Sequence, residues 1–329
     1  MMKDIKALLE KSAIPIKDDI QKFSKYFDES LSSDVKLINT VIKYISRQKG
    51  KQLRPRLALL SARMCGEANE LTYRASALIE MIHTATLIHD DVVDSADTRR
   101  GWPSVKRVWK NKIAILVGDY MFSKALTNMV HLKDFDALKV LSETAERLSQ
   151  GEILQIEKAI KKDITEDIYF KMVSDKTASL FAASCEVGAI TVTKDEKLRS
   201  ALRSFGEKLG IAFQIKDDLF DIIGNVTQVG KPLGFDVKKN MLTLPLIHLF
   251  SSLSSFEQRK LKRMIKKYAR KSDLDKIREV IISEGGIEYT EQKLNEITEQ
   301  AKTELNIFPS SEYKSSLLEI LDFNIQRNH

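Results

Sequence analysis

Two long apolar segments, each ending in three aspartates, constrain the fold of this chain most strongly. The first runs from Arg74 to Ser95 and the second from Leu198 to Ile223. The first is apolar or small nearly all round, and the second is so in its second half, which predicts two buried helices. They end in Asp90-Asp91-Val92-Val93-Asp94 and Asp217-Asp218-Leu219-Phe220-Asp221. The fold therefore has to place carboxylates at the ends of core helices.

The rest of the sequence favours one all-α domain. The chain has 329 residues with only 13 Gly and 6 Pro. These breakers leave segments of about 15 to 30 residues with apolar side chains at helical spacing, long for globular helices. No alternation of strands and helices is present, and 43% hydrophobic residues exclude a disordered chain. We predict a single domain over residues 1–329, built as a bundle of long helices.

Cysteine usage and the N-terminal sequence favour a cytoplasmic protein. Cys65 and Cys185 are far apart and form no CxxC pair, which indicates neither a disulfide framework nor a zinc site. Residues 1–20 are charged throughout and lack the apolar core of a signal peptide. No stretch approaches the length of uncharged apolar residues that a membrane span needs.

The net charge of +7 does not by itself indicate a nucleic-acid partner. Most Lys and Arg residues are interleaved with Asp and Glu, whereas nucleic-acid binders cluster their basic residues. The densest basic run, Arg259 to Lys271, is typical of a solvated helix face. A transient contact with an anionic membrane surface during product release is the second interpretation of this run.

The aspartate clusters require a cation. Residues four apart share one face of a helix, so Asp90 lines up with Asp94, and Asp217 with Asp221. Their repulsion is increased by the negative end of the helix dipole and by the apolar surroundings. Mg²⁺ suits this setting because it takes one or two carboxylates and completes its shell with water and phosphate oxygens. One such cluster alone would also fit a solvated helix end, but two copies indicate a metal site.

Basic residues follow or precede the clusters in three places. The candidates are Lys51 and Arg54 in GKQLRP, Arg99 and Arg100 after the first cluster, and Lys231 in GKPLG. Arginine suits bidentate phosphate contacts and lysine acts as a point charge, although any one of them would also fit a surface position. His83 lies two helical turns before Asp90 on the same face. It is a further candidate, although a lone histidine on an apolar helix is more often structural.

These motifs resemble those of the trans-type polyprenyl diphosphate synthases, the polyprenyl synthetase family. The resemblance covers nearly all of the chain beyond about residue 40 and is greatest for the long-chain, octaprenyl-like branch. The matching motifs are GKQLRP (50–55), IHTATLIHDDVVDSADTRRG (82–101), GEILQ (151–155), Lys176-Thr177 in SDKTASLF, FQIKDDLFD (213–221), GKPLGFD (230–236) and TLP (243–245).

The resemblance implies an isoprenoid synthase-like fold around a central cavity. It also implies a reaction mechanism. An allylic diphosphate binds through Mg²⁺, typically three ions, and ionises; isopentenyl diphosphate then attacks the carbocation and a proton is lost. The family's metal-binding motifs match Asp90, Asp94 and Asp217, with Asp91, Asp218 and Asp221 in the same clusters. Its isopentenyl diphosphate site matches Lys51, Arg54, His83 and Arg100. Its allylic site matches Arg99, Lys176, Thr177, Gln214 and Lys231, of which Lys176, Thr177 and Gln214 act on the developing cation. A homodimer is also implied.

The helix before the first cluster predicts product length. In the family the product grows beside this helix, past the positions of Ala85 and Thr86, which are small here. Each further turn adds about 5.4 Å of depth, so we expect Met81, with Phe122 or Leu126 from a neighbouring helix, to set a product of roughly seven to nine isoprene units, C35 to C45. An octaprenyl product, a typical quinone side chain, lies within that range. Alternatively, Ala85 only packs against a neighbouring helix. A second alternative is that the enzyme makes a shorter farnesyl or geranylgeranyl product.

The sequence departs from the family pattern before the TLP motif. The family often has a Gly-Lys pair there, whereas this chain has Asn240 and Met241. The usual lysine helps to bind the allylic diphosphate, so Lys238 or Lys239 is a candidate substitute.

Three other classes of protein fit the sequence less well. Terpene cyclases share one aspartate cluster but usually lack the second cluster and the GKxxRP loop. A di-iron bundle needs two Glu-x-x-His motifs, and only Glu80-Met81-Ile82-His83 is present. Non-catalytic regulatory subunits commonly lose one aspartate cluster, and both are intact here.

Overall fold

A computed structural model of the chain describes residues 10–48, 50, 52–161, 163–223, 243–267 and 271–326. These residues are almost entirely helical, which confirms the predicted all-α class. Of the helices among them, none is both long enough and apolar enough to span a membrane. The extent of the domain over residues 1–329 stays a prediction.

The elements are named in chain order. The α-helices are α1 (Lys17–Ser30), α2 (Lys36–Arg47), α3 (Leu53–Cys65), α4 (Glu70–Val93), α5 (Val105–Leu132), α6 (Phe135–Lys161), α7 (Glu166–Val173), α8 (Ser179–Ile190), α9 (Glu196–Ile223), α10 (Leu244–Ser252), α11 (Ser255–Lys267), α12 (Lys271–Ser283), α13 (Gly286–Glu304) and α14 (Glu312–Gln326). A π-helical turn (Ser174–Ala178) joins α7 to α8, 3₁₀ turns span Ile14–Ile16 and Leu305–Ile307, and strands β1 (Thr98–Arg99) and β2 (Trp102–Pro103) form a hairpin.

The two helices that carry the aspartate clusters lie in the core. Helix α4 packs against α1, α3, α5 and α8, and helix α9 packs against α8 and α13. Leu78, Ile79 and Ile82 of α4 are fully buried, as are Phe205 and Leu209 of α9. Both segments are therefore the buried helices that their apolar sequences predict. The aspartates come at the end of each helix. The side chains become more exposed there on α4 but stay largely buried on α9.

A polar network attaches the N-terminal helix to the core. Asp19 of α1 is 1% exposed. It accepts hydrogen bonds from Arg63 Nε and Nη2 of α3 at 2.8 and 3.0 Å, and from the Tyr73 hydroxyl of α4 at 2.8 Å. Because a buried carboxylate without partners is costly, this network holds α1 firmly against α3 and α4. Helix α1 in turn forms one wall of the cavity described below.

Helix caps fix the start of α4 and of α5. Asn69 forms a capping box with Thr72, in which each side chain accepts a hydrogen bond from the other residue's backbone N–H. Ser104, directly after the hairpin, caps α5 by accepting from the Arg107 backbone N–H. The short hairpin between α4 and α5 consequently stays close to the first aspartate cluster.

Candidate active site

The first cluster contains one aspartate that is already paired within the protein. Asp91 is 4% exposed and accepts hydrogen bonds from Arg99 Nε at 2.8 Å and Nη2 at 2.5 Å. Asp90 is half-buried and Asp94 is exposed. Arg99 thus neutralises the buried member of the cluster, while the other two carboxylates lie nearer to solvent.

The hairpin directs two consecutive arginines to different places. Arg100 and Gly101 form the two-residue turn between β1 and β2, with φ angles of 53° and 79°. Positive φ at both positions is characteristic of a type I′ turn, and glycine favours the second of them. Arg99 contacts Asp91, whereas Arg100 Nη1 donates to the Gln48 carbonyl at 3.1 Å. A Cβ atom on Gly50 would overlap the Arg100 guanidinium, so this glycine leaves the space that Arg100 fills.

Arg54 and His83, both candidates for the acceptor site, are in contact. Arg54 Nη1 lies 3.0 Å from His83 Nε2, and its guanidinium carbon is 4.6 Å from the centre of the Phe181 ring. Burial, followed by the charges of Arg54, Arg100 and Arg99, lowers the pKa of His83 well below its usual value. The imidazole is therefore neutral, and Nε2 accepts from the guanidinium, which can only donate. Burial also lowers the pKa of Arg54 to about 10, which leaves it charged at neutral pH.

Asp90 lies in a partly buried setting with charged groups of both signs nearby. Burial and then the Glu152 carboxylate raise the pKa of Asp90 to about 6, and Lys176 and Arg99 lower it only in part. Lys176 Nζ contacts Glu152 Oε2 at 2.5 Å and Gln155 Oε1 at 3.1 Å. Glu152 and Gln155 were not predicted as site residues, although the GEILQ motif that contains them was noticed.

Lys176 and Thr177 lie on the π-helical turn. Such turns occur frequently at functional sites, since they widen the helix and reorient side chains. Arg147 of α6 fixes this turn by hydrogen bonds: it donates to Asp175 Oδ1 at 2.8 Å and to Ser174 Oγ at 2.7 Å. The positions of Lys176 and Thr177 thus depend on an arginine that no sequence motif indicates.

The second cluster also contains an aspartate held by fixed donors. Asp218 is 5% exposed and accepts from the Tyr169 hydroxyl at 2.7 Å and from Gln214 Nε2 at 2.8 Å. Gln214 Oε1 accepts from the Thr177 hydroxyl at 2.9 Å, so the predicted pair Thr177 and Gln214 is in contact. Asp221 is buried and Asp217 half-buried. Asp218 therefore corresponds to Asp91 in the first cluster.

The π-helical turn connects the two clusters. Lys176 acts electrostatically on Asp90, and the next residue, Thr177, reaches Asp218 through Gln214. Carboxylates, fixed cations and oriented amide and hydroxyl groups thus surround one place at the ends of α4 and α9. Such a set of groups can bind and polarise a phosphorylated substrate.

The profile of the polyprenyl synthetase family matches residues 35–282. This chain belongs to the polyprenyl synthetase family. It is 36% identical to the all-trans-nonaprenyl-diphosphate synthase (geranyl-diphosphate specific) of Rhodobacter capsulatus, over 95% of this chain and 96% of that one. It is 34% identical to the octaprenyl diphosphate synthase of Escherichia coli strain K12, over 91% and 93%.

A solved structure of the same family confirms the fold. The crystal structure of a decaprenyl diphosphate synthase from Rhodobacter capsulatus is similar to this chain with a TM-score of 0.92 and 33% identity, over 97% of this chain and 99% of that one. The predicted family, isoprenoid synthase-like fold and prenyltransferase class are therefore confirmed. The roles of individual residues stay predictions.

The donor set fits Mg²⁺ that is shared with a substrate. Within the described residues, no three Asp, Glu, His or Cys side chains lie close enough to hold a metal ion by themselves. Mg²⁺ in phosphate-transferring sites takes only one or two carboxylates and relies on phosphate and water for the rest. Because Arg99 and Tyr169 hold the middle aspartates, Asp90, Asp94 and Asp217 are the members best placed for such ions.

One of the residues predicted to set product length lies elsewhere. Leu126 is 54% exposed and does not line an internal tunnel of this chain, because the core-facing side of α5 at this level is formed by Met121 and Ala125. The role of Leu126 in setting product length stays a prediction. Met81 and Ala85 are fully buried.

The other two predicted length-determining residues are compatible with the prediction. Phe122 is half-buried, and its ring lies parallel to the His89 ring with the two ring centres 6.4 Å apart. Thr86 is half-buried, and its hydroxyl donates to the His83 carbonyl at 2.9 Å.

Several predicted residues lie outside the described part of the chain. They are Lys51, Lys231, Lys238, Lys239, Asn240 and Met241.

Replacing Gly151 by alanine is expected to displace the π-helical turn. A Cβ atom there would lie 2.7 Å from the Lys176 backbone nitrogen, so the turn has to move away from α6. Since small misplacements of catalytic groups are costly, we expect kcat for prenyl transfer to fall roughly tenfold to a hundredfold. Ser149→Ala, on the exposed side of the same helix, is the control and should keep the wild-type rate. An unchanged kcat for Gly151→Ala would contradict this role of the π-helical turn.

Proposed function

We propose that this protein is a long-chain all-trans polyprenyl diphosphate synthase. It adds isopentenyl diphosphate repeatedly to an allylic diphosphate in a Mg²⁺-dependent reaction. The observation that carries the chemistry is the connection of both aspartate clusters through Lys176 and Thr177. The long product is supported by relatives named for octaprenyl and nonaprenyl products, and by the small side chain of Ala85.

Asp90, Asp94 and Asp217 would hold Mg²⁺, three ions per site by resemblance, together with the allylic diphosphate. When bound, the metal neutralises the leaving diphosphate and so favours ionisation. Lys176 adds positive charge beside Asp90. Arg99 binds Asp91 through hydrogen bonds, and these keep the hairpin close to the first aspartate cluster. Lys231 is proposed as a further allylic contact by resemblance alone.

Thr177 and Gln214 are proposed to face the developing carbocation. Their mutual hydrogen bond fixes both side chains, and the Gln214–Asp218 contact fixes the amide orientation. Oriented dipoles of this kind stabilise charge without having to reorganise during the reaction. The surrounding apolar helices exclude water, which would otherwise capture the cation.

Arg54, His83, Arg100 and Lys51 are proposed to bind isopentenyl diphosphate. The first three lie together at the start of α3, on α4 and in the hairpin. Arg54 and Arg100 supply charge, while neutral His83 orients Arg54 through the 3.0 Å contact. This separates the acceptor substrate from the aspartates that serve the donor substrate.

A homodimer is proposed on the basis of exposed apolar residues on α5. Leu116 is 53%, Leu126 54% and Val130 70% exposed, and they lie along one side of the helix. Such a stripe on a core helix is typical of a surface that another chain covers. The exposed position of Leu126 is explained in this way. Sedimentation of the purified protein measures its mass in solution, and the mass of a single chain would contradict the homodimer.

The cellular setting stays a set of proposals. We propose a cytoplasmic enzyme that supplies quinone side chains and releases its product at a membrane surface. The basic run that suggests membrane contact lies on α11 and beyond, where the side chains of residues 265–271 are outside the description. Flotation of the protein with anionic vesicles tests that contact, and its absence at low salt would contradict it.

The direct test of the function is product analysis. The purified protein is incubated with Mg²⁺, isopentenyl diphosphate and farnesyl diphosphate, and the products are weighed by mass spectrometry. We expect all-trans products centred on C40, and none after chelation of Mg²⁺. A relative named heptaprenyl diphosphate synthase component 2, from Bacillus subtilis, is 34% identical over 94% of this chain. A chain that is inactive alone would thus favour a second subunit over the present proposal.

Ala85→Phe is expected to shorten the product. The new ring would occupy space beside α4 roughly one turn above Met81, about 5.4 Å higher along the helix, and stop growth near C15 to C20. Ala85→Ser adds a single atom and should leave the length distribution unchanged. Full-length product from Ala85→Phe would show that the growing chain does not pass this residue.

A further inference from the structure

Glu80 has a buried carboxyl group, one oxygen of which has no hydrogen-bond partner among the described residues. It lies on α4, one turn before His83, and is 9% exposed. Its Oε2 atom has no partner among the described residues. A buried polar oxygen in this state is normally satisfied by a ligand or by water. The sequence pattern Glu80-Met81-Ile82-His83 drew attention to this residue only as half of a di-iron motif, and the proposed mechanism gives it no role.

The side chain of Glu80 faces a cavity beside the hairpin. The cavity is lined by His83, Arg99 and Arg100 at one side, and by Gln48, Gly50 and Gln52 between α2 and α3. Its remaining wall is apolar and comes mainly from α1 and α2. This is the place where the proposed function puts the diphosphate of the acceptor. Glu80 therefore lies among the groups that would bind an anion, although an ionised carboxylate would repel it.

Among the described residues, two arginines act on the charge of Glu80. Arg54 approaches from α3 and Arg100 from the hairpin, and both stabilise the ionised form. His83, on the same helix, is neutral. Arg99 and Asp91 also line the cavity, but they pair with each other.

None of the described residues that α1, α2 and α5 contribute to this cavity is charged. The residues of α1, α2 and α5 that line it, with Gln48 at the end of α2, are Phe27, Leu31, Ile42, Ile45, Ser46, Gln48, Val105 and Met121. Burial outweighs both arginines and raises the pKa of Glu80 to about 7. Glu80 is thus divided between its two protonation states near neutral pH, even before a further anion arrives.

We propose that Glu80 binds the acceptor diphosphate in its protonated form, by donating a hydrogen bond to a phosphate oxygen, so that binding of isopentenyl diphosphate takes up one proton from solution. The inference rests on the proposed function, because it takes this cavity as the acceptor site. In the protonated form, the carboxyl oxygen that has no partner gains a hydrogen bond to the phosphate. The neutral group also does not repel the substrate. Arg54 and Arg100 then act on the diphosphate without competition from a neighbouring anion.

The proposal fixes the sign of the pH dependence. Below about pH 7 Glu80 already carries its proton, so the KM for isopentenyl diphosphate does not depend on this group. Above that pH the bound state has to acquire a proton, and KM rises up to about tenfold for each pH unit. Neutral His83 and Arg54, with a pKa of about 10, do not change charge in this range.

The experiment compares Glu80→Gln with the wild type. Glutamine keeps the shape and a hydrogen-bond donor but cannot titrate. We expect the ratio of KM for isopentenyl diphosphate, wild type over variant, to rise at least about tenfold between pH 6.5 and pH 8.5. Ionisation of the substrate itself cancels in this ratio. A ratio that stays constant with pH would overturn the proposal.

Glu186→Gln is the matched control. Glu186 lies half-buried on α8, 3.7 Å from Arg203, and burial raises its pKa as well. It is outside the proposed site, so this variant should keep the pH dependence of the wild type. If both variants flatten the pH profile equally, the effect is a general one and the role of Glu80 is refuted.

Calorimetry provides a readout that does not require catalysis. Isopentyl diphosphate, a saturated analogue that cannot be alkylated, is titrated without Mg²⁺ at pH 8 in two buffers of different ionisation enthalpy. The wild type should take up close to one proton more per bound analogue than Glu80→Gln, since about nine-tenths of Glu80 is ionised at that pH. Equal uptake, or no binding, overturns the inference. Failure of the proposed function looks different: no Mg²⁺-dependent product forms from the wild type at any pH.

Discussion

Repulsion among carboxylates that are forced together at the ends of buried helices is the constraint on which this structure depends. The six aspartates of the two clusters belong to helices whose apolar residues drive burial. Repulsion is strongest where solvent is excluded, so each cluster needs compensation. Within the described residues, the middle aspartate of each cluster is held by side chains of the protein. Arg99 holds Asp91, and Tyr169 with Gln214 holds Asp218.

The other carboxylates of the two clusters are the groups that we propose as cation ligands. Burial, followed by the Glu152 carboxylate, raises the pKa of Asp90, although Lys176 and Arg99 lower it. Mg²⁺ bound together with a diphosphate would stabilise the ionised carboxylates at this place. The fold devotes several local features to it: the type I′ hairpin, the π-helical turn and the close approach of Gly151. Binding of metal and substrate would thus complete an arrangement that these local features prepare.

Much of this follows from the sequence, for identifiable reasons. The buried helices, the two clusters and the Arg54–His83 and Thr177–Gln214 pairs depend on helical periodicity and on motifs that resemble a known family. What the sequence does not predict are contacts between distant elements. Tyr169 and Arg147 reach the site from α7 and α6, and nothing in their local sequence distinguishes them from surface residues. Glu152 lies in the GEILQ motif, but the motif alone does not indicate that this side chain contacts Lys176. The exposure of Leu126 could not be predicted either, because its position in the sequence determines neither the rotation of α5 nor which of its faces meets solvent.

Locating the metal ions in a substrate-bound crystal tests the central claim most directly. Crystals grown with Mn²⁺ and an unreactive allylic thiodiphosphate would reveal the ions by their anomalous scattering. The account predicts peaks bridging the diphosphate to Asp90, Asp94 and Asp217, with Asp91 still bound to Arg99 and Asp218 still bound to Tyr169. Peaks coordinated by Asp91 and Asp218 instead, or a diphosphate bound without ions at either cluster, would contradict it.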